Sequence, residues 1–140
     1  MKPGEGGGVS NGWFDPAQLE RASELTGDQL DGLPFGVIAV DRKGTIIEYN
    51  AYESSLAGFR REQVLGRNFF HDVAPCTAIK DFEGRFEAWL DSHETSIEPF
   101  HFVFQFPGRR TNVSIVFIRT NFESDRANIC VVIEDVPAEA

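Results

Sequence analysis

At Leu33 the spacing of apolar residues changes from helical to extended, and that change divides the chain. Before it, Asp15 is placed to cap a helix and Pro16 suits the first helical position. Gln18 stands where a capping box takes Glu or Gln, and Phe14 and Leu19 have the spacing of a hydrophobic staple. Gly27 reads as the stop. Residues 1–11, rich in Gly, Pro, Ser and Asn, read as a flexible tip. Residues 1–32 are therefore expected to be a tip and a small helical cap, and 33–140 the core domain.

Within the core domain, Phe35–Val40 reads as a strand, Asp41–Gly44 as a turn and Thr45–Tyr49 as a second strand, together a hairpin. Asn50 to Gly66 mixes polar and small residues with short helical pieces, one of them Arg61–Leu65, ended by Gly66. A longer helix is predicted over Lys80–Ser92. Phe82, Phe86, Trp89 and Leu90 fall on one face of it, although Gly84 costs about 1 kcal/mol relative to Ala. Three strands follow, at Pro99–Phe106, Thr111–Thr120 and Ala127–Val136, with turns at Pro107-Gly108 and Glu123-Ser124-Asp125. The order predicts an α+β fold: a five-stranded antiparallel sheet flanked by helices on one face, with an N-terminal helical cap.

Composition narrows the function. A chain of 140 residues, 41% hydrophobic with 13 phenylalanines, fills one core. No apolar run approaches the ~20 residues that span a bilayer, and the N-terminus lacks an apolar signal segment. A cytoplasmic protein is expected. The net charge of −9 argues against a nucleic-acid partner, and Arg109-Arg110 is too small a basic patch to reverse that. An acidic surface favours a soluble monomer, with weak dimerisation through the cap left open. Cys76 and Cys130 have no CxxC spacing; one disulfide is allowed by arithmetic, and the cytoplasmic reading speaks against it. Cys130 lies in the apolar run Ile129–Ile133 and reads as core. Neither a metal site nor a thiol enzyme is expected. Two cysteines with His71, His93 and His101 lack zinc spacing, and His71 lies only five residues before Cys76, with no oxyanion-hole signature.

Cys76 alone would read as a small buried hydrophobe. Its setting is more specific. The run Gly66-Arg67-Asn68-Phe69-Phe70-His71-Asp72-Val73-Ala74-Pro75-Cys76-Thr77 resembles the chromophore-attachment segment of photoactive yellow proteins, blue-light receptors with a PAS fold. Leu33-Pro34-Phe35-Gly36 and Glu48-Tyr49-Asn50-Ala51-Tyr52-Glu53 are similar to that family too. The likeness runs from about Leu33 to Val136, with a one-residue insertion near Ser92–Ser96.

The resemblance implies a thioester of 4-hydroxycinnamic acid (p-coumaric acid) at Cys76, with Tyr49 and Glu53 hydrogen-bonding its phenolic oxygen. It implies a trans-to-cis isomerisation in light, proton transfer from Glu53 and loosening of the cap as the signal to a downstream protein not identifiable from the sequence. Elementary chemistry agrees. A phenol ionises near pH ~10 in water, so holding its anion in a core takes strong donors, and a Glu buried beside an anion keeps its proton. Ile38, Phe69, Val73, Ala74, Pro75 and Phe104 match the family's apolar lining, and each is also what any PAS core contains. Three positions depart from the pattern. Ala57 stands where Thr often supports the tyrosine, and Phe59 replaces an Arg that covers the chromophore, with Arg60 adjacent as a substitute. Gly108 takes the place of a Met that speeds the return to the dark state, so slow recovery is expected. These departures leave open a PAS module without chromophore that binds a partner or another small ligand. The short tail after the last strand predicts no attached output domain.

Overall fold

The computed structural model describes residues 14–106 and 108–134. Five strands, β1 (Gly36–Val40), β2 (Ile46–Tyr49), β3 (Phe100–Phe106), β4 (Arg109–Ile118) and β5 (Ala127–Ile133), form one antiparallel sheet in the order β2-β1-β5-β4-β3. The predicted end of the last strand at Val136 lies outside the described residues.

Side chains alternate across a strand, and here both faces are apolar. Along β5, Ala127, Ile129 and Val131 enter one cluster, while Cys130 and Val132 enter another. Ile38 and Val37 on β1, and Ile115 and Val116 on β4, divide in the same way. The larger cluster is closed by α2 (Ala51–Ala57), α3 (Arg61–Val64), two short turns at Phe69–Val73 and Pro75–Thr77, and the helical segment that ends in α4 (Arg85–Leu90). The smaller is closed by the N-terminal segment, through Phe14, Ala22, Leu30 and Leu33. The expectation of helices on one face is thus corrected. The strands carry apolar side chains on both faces, and the cap is what covers the second.

Local chemistry explains most boundaries. Asp15 caps α1 (Pro16–Ala22) by accepting from the Ala17 amide at 3.0 Å, so the box with Gln18 does not form. Gly27 does not stop that helix; it opens a 3₁₀ turn, Gly27–Gly32. The long helix predicted over 80–92 is a π turn, Lys80–Gly84, leading into α4. The Gly84 amide reaches back to the Ile79 carbonyl at 3.2 Å. The apolar face survives this widening, with Phe82, Phe86, Trp89 and Leu90 all buried. After α4, Arg119 is buried to 2% exposure and its guanidinium donates to the carbonyls of Trp89, Leu90, Ser92 and Glu94. A cation at a helix C-terminus satisfies carbonyls that the helix leaves open.

Candidate functional site

The site begins where β2 ends. Tyr49 is its last residue, and Asn50 starts α2 as N-cap. The Asn50 side chain uses its whole hydrogen-bonding capacity. Its oxygen accepts from the amides of Val37 (2.9 Å) and Glu53 (3.2 Å), and its nitrogen donates to the carbonyls of Leu30 (2.8 Å) and Phe35 (3.0 Å). One buried amide therefore ties β1, the cap and the first turn of α2 together. That turn directs Glu53 inward, where it is 1% exposed and close enough for its charge to act on Tyr49, itself 2% exposed.

Glu53 Oε1 is one of two buried side-chain polar atoms among the described residues with no hydrogen-bond partner; the other is Trp89 Nε1. Burial pushes the Glu53 carboxyl from its ordinary 4.5 up to about 8. Tyr49 is pushed above the usual phenol range, first by burial and then by the charge of Glu53. The pair is thus a neutral phenol and a neutral carboxylic acid near pH 7, two donors held in an apolar core.

The segment carrying Cys76 is fastened to the turn between β1 and β2. Asn68 caps the Phe69–Val73 turn by accepting from the amides of Phe70 (2.9 Å) and His71 (3.0 Å), and donates to the Lys43 carbonyl at 2.9 Å. The Phe69 amide donates to the Gly44 carbonyl at 2.8 Å. Pro75 then opens the 3₁₀ turn Pro75–Thr77, where the Thr77 hydroxyl donates to the Ala74 carbonyl at 2.7 Å. β3 is an edge strand, and its outward Gln105 amide donates to Cys76 Sγ at 3.5 Å. Cys76 is half-buried with a free thiol, against the large cluster.

Ile38, Tyr49, Phe69, Val73, Ala74 and Phe104 are brought together in that cluster, with Cys76 and Phe59 at its margin. Pro75 is not among them. As the first residue of its turn it is exposed. Ala57 is half-buried at the end of α2. Gly108 is exposed in the β3–β4 turn with φ +76° and nothing within 4 Å of where a side chain would start. Arg60 is exposed at the start of α3. The guanidinium that reaches α2 is that of Arg109, which donates to the Leu56 carbonyl and stands 5.6 Å over the Phe106 ring. Sequence reasoning singled out neither this contact nor the Gln105 amide; both join residues more than 25 positions apart, with no local signal.

Residues 30–139 match the family model described as PAS fold. The photoactive yellow protein of Rhodothalassium salexigens is 39% identical over 103 residues, 73% of this chain and 82% of that protein. That of Halochromatium salexigens is 35% identical over the same shares. The chain belongs to the photoactive yellow protein family. The fold agrees. The photoactive yellow protein domain of the sensor histidine kinase Ppr from Rhodospirillum centenum superposes with a TM-score of 0.71 at 39% identity, covering 80% of this chain and 97% of that domain. Membership of this photoreceptor family makes the protein a sensor rather than an enzyme. Among the described residues, no helix is long and apolar enough to cross a membrane.

The residues present fit the family's kind of chromophore. Glu53 Oε1 is a buried acid oxygen without a partner, Tyr49 is a phenol donor beside it, and Cys76 offers a free thiol on the same cluster. A covalently held group with a hydrogen-bond acceptor would satisfy all three.

Proposed function

We propose that the protein is a cytoplasmic blue-light photoreceptor that carries 4-hydroxycinnamic acid as a thioester of Cys76. The observation that carries this reading is the Glu53 carboxyl, buried without a partner for Oε1 and next to Tyr49. When bound, the cinnamate supplies a double bond that isomerises in light and a phenol whose anion absorbs visible light. Cys76 anchors it, and the Gln105 amide steadies the sulfur. Tyr49 and Glu53 donate to the anionic oxygen, and hydrogen bonds to an anion are about twice as strong as neutral ones. Once isomerisation breaks those hydrogen bonds, Glu53 would pass its proton to the phenolate oxygen, leaving a neutral phenol and a Glu53 carboxylate. Its carboxylate is then stranded in the core, at a cost of several kcal/mol. A domain this size is stable by only ~5–15 kcal/mol. The cost falls on the cap, which Asn50 ties directly to the Glu53 turn, and its release is the signal to a downstream protein.

The test is an absorption spectrum after adding activated 4-hydroxycinnamic acid, before and after blue light. A visible band that bleaches, returns in darkness and is absent in Cys76→Ala supports the reading. No adduct, or one that light leaves unchanged, turns it towards a PAS module that binds a partner or another small ligand. Gly108 offers no side chain to assist the return, so recovery is expected to be slow. Gly108→Met should speed it, measured as the rate at which the band reappears.

A further inference from the structure

Gly36 opens β1, buried and in register with Val131 of β5. A Cβ placed on it would lie 2.3 Å from Glu53 Oε1, 3.3 Å from Glu53 Cβ and 3.4 Å from Glu53 Cδ. The first distance is shorter than any real Cβ contact. The backbone makes no such demand, because Gly36 is not among the described glycines with positive φ. Gly58 and Gly108 are the reverse case, with positive φ and open space where a Cβ would go. At Gly36 the requirement is for room.

The room cannot be made by moving α2 outward. The single Asn50 side-chain oxygen accepts from both the Val37 amide, next to Gly36, and the Glu53 amide. That oxygen pins the backbone of Glu53 to the strand on which its carboxyl rests. A methyl group at position 36 therefore displaces the carboxyl from where it now lies.

We infer that Gly36 is a positioning residue for Glu53: its missing side chain holds open the space in which the carboxyl lies against bare strand backbone, away from water and from polar partners. What the positioned proton is for rests on the proposed photochemistry; the steric relation between the two residues does not. The upward shift of the Glu53 carboxyl by burial is what such a seat produces.

The experiment uses the full chain without chromophore. Urea unfolding is measured for wild type, Gly36→Ala, Glu53→Ala and the double variant. Gly36→Ala is expected to reduce the folding equilibrium constant at least tenfold more in the presence of Glu53 than in the Glu53→Ala background. Equal losses in the two backgrounds, or a double variant that fails to fold along with Gly36→Ala, overturn the inference. Gly36→Ala unfolded and the double variant folded supports it. Where Gly36→Ala folds, infrared titration of the protonated carboxyl band, assigned by its loss in Glu53→Gln, should show the midpoint falling by about one pH unit or more. An unmoved midpoint also overturns the inference. A wild type that takes up no cinnamate would sink the photoreceptor reading and leave the coupling between Gly36 and Glu53 as measured.

Discussion

Glu53 makes a prediction that needs neither light nor chromophore. Its carboxyl is raised from 4.5 to about 8 in the folded protein, so between those values the folded state holds a proton that the unfolded chain has released. Stability from this group is fully present below about pH 4.5 and is lost as pH rises through about 8. The slope is at most about 1.4 kcal/mol per pH unit. Urea midpoints between pH 5 and 8 should fall for wild type without chromophore and stay nearly level for Glu53→Gln; parallel curves for the two would mean that Glu53 is not the group responsible. Tyr49, Glu53 and Cys76 were singled out in the sequence by two short runs that resemble the family, and the fold places Tyr49 and Cys76 on one cluster. The seat beneath Glu53 was not legible there. Gly36 reads as one more glycine at a strand edge until the fold brings a carboxyl 17 positions away over it.

At the scale of elements, the strands and the turns between them were legible from period-2 patterning and glycine placement. The helix over 80–92 was legible in its buried face but not in its winding, since hydrophobic spacing cannot separate a π turn from an α turn over five residues. The clasps that hold the cap were not legible, because each joins distant residues through exposed or half-exposed charges. Asp31 accepts from the Ala51 amide at 2.8 Å and pairs with Arg61 at 2.6 Å, while Arg61 Nε donates to the Tyr49 carbonyl at 2.8 Å. Glu48 accepts from the Gly27 amide at 3.2 Å, and Arg126 donates to the Leu25 carbonyl at 2.7 Å. Arg61 thus binds both the cap and the residue that opens the site. Each member of the Asp31–Arg61 pair is about one-third exposed, so the pair contributes about 1 kcal/mol at most. Arg61→Ala should therefore speed amide exchange across Gly27–Gly32 severalfold and leave β1 unchanged. High salt should produce part of the same effect in wild type and less in the variant, which keeps the Glu48 and Arg126 clasps. Equal protection of the cap with and without Arg61 would show that Asn50 and the apolar contacts hold it alone.

Taken whole, the molecule is one sheet serving two interiors, with the site on one side and the cap on the other. The predicted architecture of five strands and a cap was correct in its parts; what periodicity could not supply was the second apolar face. Cys130 belongs to that second face. It is fully buried beneath the cap, and burial raises its thiol above the ordinary range, so an alkylating reagent reaches it only during moments of uncovering. Cys76, by contrast, is half-buried and free. The native chain thus contains its own pair of clocks. Without chromophore, labelling should show a fast phase from Cys76 and a slow one from Cys130. Attachment at Cys76 should silence the fast phase, and illumination should quicken the slow one in proportion to the time the cap spends away. A slow phase indifferent to light would place the moving part elsewhere. One reagent, with no engineered label, can therefore report both the occupancy of the site and the departure of the cap on the other side of the sheet.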